Sequence, residues 1–135
     1  MAGYSKRRLV DKLGIKNGHR VTIVGAPPGY EKTLGTLPPQ AQLGKDLREE
    51  RDFINFFSKS RRELEQKFTL LKSLLAPCGM LWISWPKHSS GVATDLDENV
   101  VREIGLSHGL VDVKVCAVDD TWSGLKFVYR LKDRK

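Results

Sequence analysis

The segment formed by residues 20–30, RVTIVGAPPGY, constrains the fold of this chain more than any other. Its first half is an apolar, β-branched run, which is typical of a buried strand. Its second half is a tight turn, because glycine accepts positive φ and proline fixes φ. In α/β domains such a transition lies at the edge of the sheet where the backbone approaches nucleotides and other anions. The segment therefore predicts an α/β fold with a ligand site near residues 25–30.

Two apolar strands flank a capped helix in the middle of the chain. The strands are residues 52–57 and 80–85, and an S-x-x-E capping box at Ser60 and Glu63 marks the start of the helix between them. A P-x-G turn downstream is expected to end this helix. Because a helix connects them, the two strands should be parallel. The buried stripe of the helix, spaced at four, three and four residues, is Leu64, Phe68, Leu71 and Leu75.

Shorter elements are expected on both sides of this unit. Residues 1–17 are predicted to form a basic helix and turn, with Ser5 as the helix cap. One helical turn over residues 31–34 and a short polar edge strand within residues 40–47 follow. A further helix follows, whose start is marked by the cap pair Thr94 and Asp97 and which Gly105 and Gly109 are expected to close.

The C-terminal third is predicted to end in an antiparallel hairpin. Its strands are residues 111–118 and 126–131, and residues 119–124 have the composition of the turn that joins them. The whole order predicts a small three-layer, Rossmann-like α/β fold with a mixed, mostly parallel sheet of five or six strands. We expect residues 1–135 to form a single domain, in which residues 132–135 are a basic tail.

Charge is concentrated at the two ends of the chain. The net charge is +7, with six basic residues against one acidic residue in positions 1–20 and five against one in positions 126–135. Basic ends suit nucleic acid or an acidic partner, although short basic termini also simply promote solubility. The sequence has no long apolar run and no signal peptide, and its two cysteines are widely spaced. We therefore expect a cytoplasmic protein that is not bound to a membrane.

The element order over residues 18–131 resembles class I methyltransferase-like Rossmann domains. Residues 75–85, LAPCGMLWISW, are similar to the phrase that enters a late strand of such domains. The resemblance implies that the cofactor loop for S-adenosylmethionine (SAM) falls on residues 25–29. In this sequence two prolines occupy that loop, and the segment that carries the family's ribose-binding acidic residue is shortened. The sequence therefore predicts no cofactor.

Several phrases spread over nearly the whole chain resemble a small bacterial family of unknown function. They are GAPPGY, WPKHSSGVATDL and VDDTWSGLKFV. This resemblance implies the same fold and a bacterial origin, and it implies no particular activity.

The candidate site is predicted at the carboxyl ends of the parallel strands. Four segments should reach that edge of the sheet: residues 25–30, 58–61, 86–91 and 119–124. A cation, carboxylates, hydroxyl groups and an indole would then meet in one crevice. The predicted ligand-binding residues are Gly25, Pro28, Gly29, Tyr30, Lys87, Ser90, Asp119, Trp122 and Ser123.

Each of these residues also has a plainer interpretation. Lys87 can supply charge to a ligand or form an ion pair with Asp119. Trp122 can stack on a ligand or cap the core, and the Asp119 carboxylate can simply stabilise its own turn. His88 has no second ligand at metal-binding spacing, so no metal site is predicted. No nucleophile–base pair stands out, so no catalytic residue is predicted either.

The leading hypothesis for function is non-enzymatic binding of a small anionic or nucleotide-like ligand at the carboxyl edge. The first alternative is an interaction protein that uses its basic termini on nucleic acid or an acidic protein. The second alternative is a methyltransferase-like enzyme with an altered cofactor loop.

Overall fold

Six strands form one mixed sheet in the computed structural model, which describes residues 8–44 and 49–134. The order across the sheet is β2-β1-β3-β4-β6-β5. Strands β1 to β4 are parallel, and β6 is antiparallel to both of its neighbours. The predicted mixed, mostly parallel sheet with a C-terminal hairpin is therefore confirmed. The strands are β1 (Arg20–Val24), β2 (Gln42–Gly44), β3 (Arg51–Phe57), β4 (Leu75–Pro86), β5 (Leu110–Ala117) and β6 (Trp122–Tyr129).

Helices cover both faces of the sheet. The core between the sheet and α3 and α4 contains Ile54 and Leu81, whereas the core beneath α1 and α2 contains Phe53 and Trp82. Successive residues of one strand thus point into different layers, as the pleat requires. This arrangement confirms the three-layer α/β architecture. The helices are α1 (Leu9–Leu13), α2 (Tyr30–Leu34), α3 (Arg61–Ser73) and α4 (Glu98–Ser107).

The capping box of α3 forms only in part, because the hydroxyl of a third residue, Ser58, lies between the Ser60 N–H and the Glu63 carboxylate. The Ser60 hydroxyl accepts a hydrogen bond from the Glu63 N–H, as predicted. The Glu63 carboxylate, however, accepts from the Ser58 hydroxyl at 2.6 Å, and Ser58 Oγ in turn accepts from the Ser60 N–H at 3.2 Å. Ser58, which directly follows β3, therefore links the end of that strand to the first turn of α3.

The predicted end of α3 was wrong by one turn. The helix ends at Ser73, and Leu75 already pairs with Arg51 as the first residue of β4. The P-x-G sequence lies inside β4, where the register against β3 is irregular. A strand tolerates proline and glycine at such an irregularity, so the pair does not have to end a helix.

The predicted hairpin turn was too long. The Asp119 carboxylate accepts hydrogen bonds from the N–H groups of Thr121 and Trp122, at 2.8 and 2.7 Å. This closes the turn within four residues, and Val118 N–H already donates to the Trp122 carbonyl. Trp122, Ser123 and Gly124 consequently belong to β6, which ends at Tyr129 rather than at Leu131.

The role predicted for Gly105 was also wrong. Gly105 lies inside α4, and a Cβ atom at this position would overlap the ring of Phe127 on β6. The glycine therefore permits close packing of the helix on the sheet. The turn after α4 uses Gly109, whose φ is +90°.

Other expectations in the N-terminal third have mixed outcomes. The edge strand β2 lies within the predicted range, and the single turn of α2 starts at Tyr30, one residue earlier than predicted. The predicted cap at Ser5 lies outside the described residues. No helix in the described part of the chain is long and apolar enough to cross a membrane.

Candidate functional site

The predicted segments do reach one edge of the sheet, which we call the carboxyl edge. Strands β1, β3 and β4 are parallel and end there. Because β6 is antiparallel to both β4 and β5, strand β5 also ends at this edge. The turns that follow these four strands therefore lie on the same side of the molecule. This is the position at which open α/β sheets bind ligands.

The two glycines of the loop between β1 and α2 (residues 25–29) have different surroundings. Both have positive φ, +73° at Gly25 and +80° at Gly29. A Cβ atom on Gly25 would lie 2.9 Å from the carbonyl oxygen of Phe57, whereas one on Gly29 would meet nothing within 4 Å. Gly25 thus allows the loop to pack on the end of β3. Gly29 borders open space that a ligand can fill.

Two clefts lie on either side of this loop. The β3-side cleft has a volume of about 470 Å³, and the β2-side cleft has a volume of about 310 Å³. Pro27 and Pro28 line both, so the two prolines form the wall between them. The β3-side cleft is also lined by Gly25, Phe57, Ser58, Lys59, Ser60, Glu63 and Trp122. The β2-side cleft is also lined by Ile23, Ala26, Gly29, Tyr30, Glu31, Leu43 and Gly44.

A buried polar chain supports the loop from below. Tyr30 is only 3% exposed, and its hydroxyl donates to Asn55 Oδ1 at 2.8 Å. The Asn55 amide then donates to Ser84 Oγ at 3.0 Å and to the Trp82 carbonyl at 3.1 Å. Burial, followed by the charge of Asp119, raises the pKa of the Tyr30 phenol. The hydroxyl therefore keeps its proton and remains a donor, which fixes the start of α2 on the sheet.

Trp122 serves both the core and the cleft. Its side chain is 7% exposed, and its ring meets the Phe57 ring edge to face at a centroid distance of 5.1 Å. The Tyr30 ring contacts Phe57 in the same manner, at 4.8 Å. Three aromatic rings thus form the apolar floor beneath residues 25–29. Trp122 also lines the β3-side cleft, so stacking on a ligand stays a prediction.

Asp119 lies near the floor of the site but is engaged in its own turn. One carboxylate oxygen accepts from two main-chain N–H groups, as described above for the β5–β6 turn. Its charge acts on the Tyr30 phenol, so the two predicted residues are close in space. Asp119 does not line either cleft.

Lys87, Ser90 and Ser123 are placed away from the two clefts. The Lys87 N–H donates to the Thr121 carbonyl at 2.7 Å, so a main-chain bond joins the two turns; no Lys87–Asp119 ion pair occurs among the described residues. The Ser90 hydroxyl donates to the Lys87 carbonyl and accepts from Val92 N–H within its own loop. Ser123 lies in β6 between Trp85 and Ala117. None of the three lines either cleft.

Lys59 is the cation that lines the β3-side cleft, and it was not among the predicted residues. It is exposed, and in the described part of the chain its ammonium group forms no hydrogen bond or ion pair. It follows Ser58, directly after the end of β3. The rule that ligands bind at the carboxyl ends of strands could have identified it, because residues 58–61 were expected at this edge. The described residues contain no cluster of side chains suited to a metal ion.

Comparison with known proteins identifies the fold. No family model matches the chain, and no curated protein sequence matches it. Solved structures that are similar include a SAM-dependent methyltransferase from Aquifex aeolicus, with a TM-score of 0.61 and 16% identity, covering 87% of this chain and 86% of that one. The chain thus has the Rossmann-like fold of the methyltransferase structures.

Two further structures show the same likeness at similarly low identity. Magnesium protoporphyrin IX methyltransferase from Synechocystis PCC 6803 with bound SAM has a TM-score of 0.58 and 14% identity, covering 90% of this chain and 74% of that one. Fibrillarin from Aeropyrum pernix with natively bound S-adenosyl-L-methionine has a TM-score of 0.56 and 15% identity, covering 86% and 69%. At these identities the likeness establishes the fold alone.

Proposed function

We propose that this protein binds a nucleotide-like ligand of the SAM class at the carboxyl edge, in the two clefts beside residues 25–29. The observation that carries the proposal is the position of the clefts: both flank the loop that follows β1, at the edge where this fold class binds ligands. Their volumes, about 310 and 470 Å³, lie within the range of small-molecule sites.

The residues present suit an adenosine-containing ligand. Gly29 leaves room for close approach, and residues 25, 26 and 29 of the loop carry the N–H groups that the prolines lack. The exposed carboxylate of Glu31 beside the β2-side cleft suits a pair of ribose hydroxyls. The ammonium group of Lys59, which has no partner among the described residues, suits a carboxylate or a phosphate in the β3-side cleft. Trp122 offers an apolar wall there.

The dividing wall shapes the ligand that would fit. Pro27 and Pro28 separate the β2-side cleft from the β3-side cleft, so one ligand must cross the prolines to occupy both. A molecule with a nucleoside part and a separate charged part, joined by a flexible link, meets this requirement. SAM has this construction, as do simpler nucleotides with a charged tail.

Binding without catalysis and methyl transfer are the two forms that this proposal can take. Among the acidic groups near the clefts, Asp119 holds its turn and Glu63 accepts from Ser58, whereas Glu31 is exposed. Tyr30 is buried and bound to Asn55. The likeness to methyltransferase structures supports methyl transfer better than binding without catalysis. Bound SAM would supply an electrophilic methyl group, and the cleft residues would hold and orient it.

Isothermal titration of the purified protein with SAM, its demethylated product, adenosine and ATP tests the proposal. Ala26→Trp fills the β2-side cleft from an exposed loop position, and Lys59→Gln removes the charge of the β3-side cleft. Lys59→Gln should weaken binding by about tenfold or more, since one lost charge-assisted contact is worth about 1.5–3 kcal/mol. Ala26→Trp should also weaken binding, because the indole occupies the space of the ligand. Lys67→Gln, at an exposed position of α3, is the matched control and should bind normally.

The possible results separate the hypotheses. Binding that both cleft variants weaken supports the proposed site. Binding that Lys67→Gln weakens equally, or no binding of any compound, contradicts it. If SAM binds, formation of its demethylated product with a panel of methyl acceptors would favour the enzyme over the binding domain.

A further inference from the structure

Lysines on β5 and β6 lie beside the C-terminal end of α1, on the face of the sheet that carries this helix. A Cβ atom on Gly14, which follows α1, would lie 4.0 Å from the Lys126 ammonium nitrogen on β6. The Lys114 ammonium group on β5 donates to the carbonyl of Lys12, in the last turn of α1, at 3.3 Å. Lysines from β5 and β6 thus gather at the C-terminal end of the first helix.

The sheet register explains how these lysines come together. Lys126 pairs with Trp82 on β4 and with Lys114 on β5, so the three residues form one row across the sheet. Cross-strand partners point to the same face. Trp82 is fully buried beneath α1, and its indole N–H donates to the Leu13 carbonyl. The row therefore runs from the buried core outward to the exposed Lys114.

Like charges in this row affect one another. Burial, then the charges of Lys114 and Lys16, lower the pKa of Lys126. No ion pair among the described residues involves any of these three lysines. The α1 carbonyl groups compensate part of the charge, because helix C-termini attract cations, but α1 has only five residues. Asp11 lines the same surface cleft as Lys16, and its carboxylate is paired with Arg8 at 3.3 Å.

We propose that Lys16, Lys114 and Lys126, the basic surface, bind the phosphate groups of a polyanion. Ammonium groups recognise phosphate as point charges and need no further side chains for it. Three lysines on one face give a polyanion several contacts at once, which strengthens binding without any single strong site. The basic surface is separate from the two clefts, and the proposal does not depend on the ligand proposed for them.

Fluorescence anisotropy with a labelled DNA duplex, measured over a range of salt concentrations, tests the basic surface. The variants are Lys16→Gln, at an exposed position, and Lys126→Met, which keeps the aliphatic stem. Each should lower the affinity and reduce the slope of log K against log salt by about one unit, as expected for one lost phosphate contact. Lys67→Gln on α3 should change neither. Inorganic pyrophosphate and polyglutamate are run as competitors.

Each outcome has a defined meaning. Duplex binding that both variants reduce, with little competition by pyrophosphate, supports a nucleic-acid backbone as the phosphate source. Effective competition by pyrophosphate at micromolar concentration supports a small phosphate compound instead. The proposal is overturned if the duplex does not bind, if Lys67→Gln has the same effect, or if polyglutamate competes as well as the phosphates. Circular dichroism of each variant shows whether the fold is kept.

Discussion

The loop at residues 25–29 and the basic surface are built in opposite ways. The loop rests on three aromatic rings and on the buried chain from Tyr30 to Ser84, and its position is set by packing. The basic surface consists of Lys16, Lys114 and Lys126 around the end of a five-residue helix, and positive charge is its main feature. The loop can therefore recognise a ligand by its shape, whereas the basic surface can attract one by its positive electrostatic potential.

This difference teaches which conditions should affect each region. A ligand held by shape and buried contacts responds weakly to salt, whereas phosphate contacts weaken steeply as salt rises. Substitutions beneath the loop should change the stability of the fold. Substitutions in the basic surface should leave the fold intact, or even stabilise it, and should change binding.

The largest expected effect on stability is at Gly25, in the loop at residues 25–29. Gly25→Ala combines a left-handed backbone with a Cβ atom 2.9 Å from the Phe57 carbonyl oxygen. The backbone costs about 1–2 kcal/mol and the crowding about 1–3 kcal/mol. We expect the free energy of unfolding in urea to fall by about 2–5 kcal/mol.

Gly29→Ala is the matched control for this prediction. Its backbone is also left-handed, but nothing lies within 4 Å of the added atom, so only the backbone cost of about 1–2 kcal/mol remains. Equal losses for the two variants would mean that the contact with Phe57 does not hold the loop.

A smaller effect is expected from removing one hydroxyl of the buried polar chain. Tyr30→Phe leaves Asn55 Oδ1 without its donor in a fully buried position, at a cost of about 1–3 kcal/mol. Tyr129→Phe is the comparison: its hydroxyl donates to the Lys72 carbonyl, but the group is only partly buried. That variant should lose about 0.5–1.5 kcal/mol, because water can replace the bond. A larger loss for Tyr129→Phe would contradict the view that the loop is the more rigid region.

The smallest effect, and one of opposite sign, is expected in the basic surface. Because the pKa of Lys126 is lowered in the folded state, the unfolded chain binds the proton more tightly. Stability due to this group therefore rises as the pH increases through its folded pKa towards 10.5, the ordinary lysine value. Lys126→Met should be slightly more stable than the wild type at pH 7, and the difference should shrink at alkaline pH. Thermal denaturation of both proteins across this range measures it, and a variant that is less stable at pH 7 would contradict the prediction.

Much of the fold could be predicted because strand and helix signals in the sequence agree. The apolar run before residues 25–29 and the capping box at Ser60 each gave an element where it was expected. The sequence-based predictions were wrong where tertiary contacts determine the local structure. Gly105 resembles a helix terminator, but a larger residue there would overlap the Phe127 ring. Phe127 is 22 residues away in the sequence, so the local pattern around Gly105 does not reveal this contact. The Pro-Cys-Gly segment resembles a stop signal, but pairing with β3 absorbs it.

The candidate site was predictable in its location and less so in its side chains. Topology alone brings the four turns to one edge, which the parallel strands confirm. Which side chain lines a cleft depends on which way each turn closes. The Asp119 carboxylate closes its turn early and moves Trp122 into β6, and Lys59 rather than Lys87 lines the cleft. No sequence pattern encodes that choice.

The buried chain through Asn55 has a consequence for strand pairing during folding. Along β3, Asn55 is flanked by Ile54 and Phe56, which point into the opposite core layer. A shift of β3 by one residue would move the amide into that apolar layer, away from Tyr30, Ser84 and the Trp82 carbonyl. The misaligned sheet would bury an amide without partners, at about 1–3 kcal/mol for each group left unsatisfied. Asn55 thus favours the native register, because slipped pairings of the central strands are destabilised by its buried amide.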